Sequence, residues 1–68
     1  MNDDTFNISI RKFLKMVGVK SQHEIEKAVA RACSQGQLQG SESLPANMVL
    51  RIPQIGLEVV FDGRIDLE

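Results

Sequence analysis

Two side chains could begin nucleophilic chemistry, His23 and Cys33, the only histidine and the only cysteine of the chain. Both fall in a run with helical spacing, ten positions apart, so about 15 Å of axial rise separates their backbones and they share no hydrogen bond. His23 points away from Ile25 and reads as a solvated residue. Cys33 continues the apolar stripe from Val29 and is expected as a buried, inert thiol. One Cys and one His cannot close a four-ligand metal site. Among the carboxylates, Glu24 is taken up by a helix cap and Asp62 by a turn. Glu58 and Asp66 fall on the solvent face of neighbouring strands, where nothing supplies the pocket that general acid–base chemistry needs. "GQLQG" has the wrong spacing for a phosphate loop and no lysine after it, and "MVGVKS" lacks a multiple-glycine fingerprint. No catalytic residue, cofactor or metal ligand is assigned, and the expectation is a protein that is not an enzyme.

Cations offer the other chemistry. Residues 11 to 31 hold six cations against Glu24 and Glu26, a balance of +4, whereas residues 32 to 68 balance at −3 and the whole chain at −1. The stretch "KMVGVKSQHEIEKAVARA" reads as a helix end, a glycine turn and a second helix. A small nucleic-acid-binding domain built on a helix-turn-helix-like pair would set Lys20, Lys27 and Arg31 against phosphate. Against it stand a turn one residue longer than the compact pattern, no third helix, no Tyr or Trp for stacking and a mildly acidic whole. A solvated helix surface explains the same cations.

These residues need elements to position them. Phe6, Ile10, Phe13, Leu14 and Val17 repeat at the helical period, which predicts a helix over about 3–17. Asn2 or Asp3 caps its start, and Gly18 ends it as the left-handed residue past its last turn. "SQHE" matches a capping box, Ser21 with Glu24, opening a second helix over about 22–35, with Ile25, Ala28, Val29, Ala32 and Cys33 inward and Gly36 at its end. Residues 36–47, polar and bearing Gly and Pro, read as a loop. Alternation then gives strands over about 48–52, 57–61 and 64–67. A four-residue loop at Pro53–Gly56 pairs Ile52 with Leu57, Leu50 with Val59 and Met48 with Phe61. A bulged loop at Phe61-Asp62-Gly63, with Gly63 at positive φ, sets Ile65 opposite Val59. The expected fold class is α+β: two N-terminal helices packed on a three-stranded antiparallel β-meander, one domain over residues 1–68.

Such a short chain supplies only ~3–5 kcal/mol from its own core, and with one cysteine it has no internal disulfide, so self-association is the economical supplement. "MNDDTF" is acidic where a secretory signal is cationic, and no apolar run approaches a membrane span; a cytoplasmic protein without a membrane segment is expected. Ile8 lies opposite Phe6 and Ile10 on the helix, Met16 sits at the flank, and Val49 and Val60 face outward from the sheet. One exposed aliphatic is ordinary, but an adjoining patch of several would mark a protein contact.

The runs "DDTFNISIRKFLKMVGVKSQHEIEKAV", "LPANMVLRI" and "GLEVVFDGRIDLE" resemble a family of short bacterial proteins characterised only as a domain of unknown function. The most distinctive pieces are Arg11-Lys12-Phe13-Leu14-Lys15 before Val17-Gly18, then Ser21-Gln22 and Glu24-Ile25-Glu26, with Leu44-Pro45 leading into the first strand. The resemblance implies one domain and carries no activity, cofactor or site residue. The expected role is a small non-enzymatic protein-interaction module, a homodimer being one form of it, with nucleic-acid binding as the alternative.

Overall fold

In the computed structural model, which describes all 68 residues, one uninterrupted helix, α1, runs from Asp3 to Ser34. The Asn2 side chain accepts from the Thr5 amide at 3.0 Å, satisfying one of the orphan donors, and Asp3 and Asp4 face the positive end of the helix dipole. At the far end Gly36 takes φ 79°. That left-handed turn lets the Gln37 amide donate to the Ala32 carbonyl at 2.8 Å and the Gly36 amide to Cys33 at 3.1 Å, a Schellman closure.

The expected break at Gly18 is absent, and with it the pair of N-terminal helices and the helix-turn-helix. The physical reason is phase. Val17, Ser21, Ile25, Ala28 and Ala32 follow one another at steps of four, four, three and four residues, so the second apolar stripe continues the first across the glycine. A helical glycine costs only ~1 kcal/mol against alanine, and a break would leave amides and carbonyls of both new ends without partners. Ser21 is accordingly a mid-helix residue, half-buried, and Glu24 pairs with Lys27 at 3.3 Å rather than closing a capping box.

Residues 35–42 link helix to sheet. Glu42 folds back there, its carboxylate accepting from the amides of Gln39 (2.9 and 3.2 Å), Gly40 (3.0 Å) and Ser41 (3.2 Å). The Gln39 amide above all, then those of Glu42 itself, Gly40 and Ser41, hold this carboxyl below the ordinary glutamate range, against a smaller opposing effect of desolvation.

Strands β1 (Ser43–Ile52) and β2 (Leu57–Asp66) form a single antiparallel hairpin. A 3-10 turn, Pro53–Ile55, joins them, and Gly56 at φ 67° returns the chain into β2. Met48 faces Phe61, Leu50 faces Val59 and Ile52 faces Leu57, the pairs that the alternation selects. There is no third strand. Asp62 and Gly63 stay inside β2 opposite Asn47 and Ala46, Gly63 lacks a positive φ, and Ile65 faces Leu44 rather than Val59. Leu44 and Ala46, assigned to the loop, extend the alternation of β1 backwards. Pairing the end of β2 with them keeps every inward position in phase and avoids closing another loop.

The hairpin lies along α1, and the molecule measures 51 × 20 × 18 Å. Half-buried positions sit on the facing sides: Val17, Ser21, Val29 and Ala32 from α1, and Leu44, Ala46, Leu50, Leu57 and Ile65 from the hairpin. The fold is α+β, but no residue is fully buried.

Two outcomes test these assignments. Gly18→Ala raises helix content and stability by about 0.5–1 kcal/mol, read from circular dichroism during urea unfolding, because Gly18 is helical with open space around its Cα. A helix-ending glycine would give a loss instead. The Glu42 carboxyl, depressed when folded, contributes stability above the unfolded glutamate pKa and loses it as pH falls through the folded value. Below about pH 4.3 the melting temperature of the wild type therefore falls more steeply than that of Glu42→Gln.

Candidate interaction surface

An apolar side chain at a helical step toward the sheet should be covered in a folded protein. Here Phe13 retains 49% of its surface and Phe61 56%, and Phe6, Ile10, Leu14 and Met48 are also exposed. The cause is geometric. One helix of ~10 Å diameter rests on a ribbon of two strands ~4.8 Å apart, so only a narrow line of side chains is shielded.

The middle of that line is hollow. A groove of about 590 Å³ separates Lys20, Ser21, Glu24 and Ile25 of α1 from Ala46, Met48, Phe61 and Gly63 of the hairpin. Ser21, Ala46 and Gly63 are too small to fill it, and a Cβ built on Gly63 would meet nothing within 4 Å. A second groove of about 220 Å³, wholly apolar, lies among Phe13, Leu14, Val17, Met48, Val49, Leu50 and Phe61. Together the two make an open seam along the molecule, apolar throughout in its smaller groove and lined also by Lys20, Glu24, Asn47, Asp62 and Arg64 in its larger one.

Some of the polar side chains around this seam are paired locally. Arg51 holds Glu58 across the strands at 2.8 Å, and Arg64 donates to the Ser43 hydroxyl at 3.0 Å and carbonyl at 3.1 Å. The Ser43 hydroxyl in turn donates to Asp66. His23 lies 3.8 Å from Glu26 on the helix surface. These exposed pairs are worth little singly. No group of three or more His, Cys, Asp or Glu side chains converges as a metal site, and no helix is long and apolar enough to cross a membrane.

Of the four positions expected as protein contacts, Val49 and Val60 are directly opposed in the hairpin and both exposed, and Val49 also lines the smaller groove. Ile8, 61% exposed, and Met16 belong to α1. Phe13, Leu14, Met48 and Phe61, which the assumption of two helices over three strands treats as core, are exposed as well. Lys20, Lys27 and Arg31 share one flank of α1, where Lys20 lines the larger groove and Lys27 is paired with Glu24. Cys33 is exposed rather than buried.

The family model that matches this chain spans residues 1–68. The chain belongs to DUF6494, a family of unknown function. No curated protein and no solved structure matches it. For this DUF6494 protein the surface itself is therefore the ground for a functional reading.

Because Cys33 is exposed, a maleimide modifies it in the native protein without urea, and modification leaves the far-UV circular dichroism unchanged. A thiol labelled only after unfolding would contradict that exposure.

Proposed function

We propose that this DUF6494 protein is a small non-enzymatic interaction module that works as a homodimer, its core completed by a second copy. The observation that carries the reading is the area left bare. The chain exposes 6040 Å², whereas a compact monomer of this mass exposes about 4,300 Å². Its radius of gyration is 16.0 Å against about 11 Å for a compact chain of the same length. The excess of about 1,700 Å² per copy is twice what a standard interface takes from each partner and lies within the obligate homodimer range. A partner of the same sequence brings a matching apolar seam, and a symmetric contact lets one surface serve both sides.

Sedimentation at micromolar concentration is expected to give twice the 7.6 kDa chain mass, with a urea midpoint that rises with protein concentration. Phe13→Glu weakens the association by on the order of 100-fold, since burying a phenylalanine is worth up to ~3 kcal/mol. Rising salt leaves the dimer almost unchanged, as apolar docking requires. A monomer at high micromolar concentration that unfolds cooperatively, with a concentration-independent midpoint, would overturn the proposal.

A further inference from the structure

Resting on that self-association, we infer that two copies join through the outer edge of β2, making one continuous four-stranded antiparallel sheet with Phe61 on the two-fold axis.

The hydrogen-bond directions identify the edge. The Leu67 amide donates to the Glu42 carbonyl at 2.9 Å, which marks residues 42 and 67 as a pair whose backbone groups point at each other. Antiparallel ladders alternate, so Leu44 with Ile65, Ala46 with Gly63 and Met48 with Phe61 do the same. The intervening residues turn their amides and carbonyls outward. On β1 that outward set includes Pro45, which has no N–H and interrupts the edge as a template for another strand. On β2 the outward set is Glu58, Val60, Asp62, Arg64 and Asp66, every one with its donor.

Charge and paired length together select the register. Two identical strands paired antiparallel must place outward residues opposite outward residues, so the candidate registers move in steps of two. Centring the pair on Val60 opposes Glu58 to the partner's Asp62. Centring it on Asp62 opposes Asp62 to itself and Glu58 to the partner's Asp66. Centring it on Gly63 avoids like charges, opposing Asp62 to the partner's Arg64, but uses only Val60 to Asp66. Centring it on Phe61 sets Glu58 opposite the partner's Arg64 twice over, joins no like charges, and uses the strand from Leu57 to Ile65. On the helix-facing side the same register brings the two Phe61 rings together and places Val59 beside the partner's Gly63, where there is open space. It covers the strand residue left most exposed on that side, Phe61 at 56%, and seats both helices on one face of a sheet twice as wide.

Three variants and the wild type test this. In a Cys33→Ser background, Phe61→Cys is expected to form a disulfide-linked dimer on mild oxidation, because directly opposed residues of this kind lie within disulfide reach; Val49→Cys on β1 is expected to stay unlinked. Val60→Pro removes one outward N–H and no bond inside the hairpin, the arrangement Pro45 already has on β1. It is expected to keep the far-UV circular dichroism of the hairpin and weaken dimerisation by on the order of 10- to 100-fold. Should Val60→Pro fail to fold, the cross-link decides alone. A wild type that dimerises while Phe61→Cys stays unlinked overturns the edge and leaves self-association standing. A wild type that is monomeric throughout overturns both.

Discussion

The constraint on which this fold depends is that a single helix cannot shut both sides of a two-stranded ribbon. Isolated hairpins are marginal in water, and helical stability in proteins comes mostly from packing an apolar face. In this chain neither element completes the other: α1 gives the hairpin a seam instead of a lid, and every apolar residue keeps part of its surface. The free energy that would fix the tertiary arrangement is hydrophobic burial, and most of the area able to supply it faces outward.

Local chemistry is, by contrast, well provided for. Asn2 caps the start of α1 and Gly36 closes its end. Glu42 gathers three neighbouring loop amides, and the ladder continues one pair beyond the strands through Leu67 and Glu42. No buried side-chain polar atom lacks a partner. The elements are thus specified from within while their packing is not. That division fits the proposed self-association, in which backbone bonds made locally demand no long-range partner and the apolar seam would be covered on assembly.

How far this could be read in the sequence depends on which signals agreed. The register of Met48 with Phe61 and Leu50 with Val59 was legible because alternation and a turn-forming Pro53–Gly56 pointed the same way. Gly18 and the Ser21–Glu24 box misled because each is a real local stop signal, and the uninterrupted phase from Val17 through Ala32 outweighs both. Asp62-Gly63 has the composition of a turn, yet the alternation passes through it to Ile65 and Leu67. The loop assigned at Leu44–Ala46 followed from Pro45, whose strand position becomes intelligible only once its nitrogen is seen on an outer edge. The seam was hidden for a different reason. Phe13 and Phe61 carry the signature of core residues, and sequence pattern does not distinguish a core closed within one chain from one shared between two.

The proposed self-association also bears on the shape of the small residues. Ser21, Ala46 and Gly63 leave a groove that larger side chains would fill at little steric cost, given the open space around Gly63. In a self-contained monomer such a void forfeits dispersion contacts without return. In an assembly, small residues on one copy are where the larger side chains of the other can approach, and a ribbon with one edge interrupted by proline and the other left intact favours a closed pair over open-ended stacking. Symmetry requires only that the same strand serve both copies, which ends growth at two. On the proposed pairing, the proline on β1 and the unbroken amides of β2 would be two halves of one condition: association strong enough to complete the core, and limited enough not to propagate.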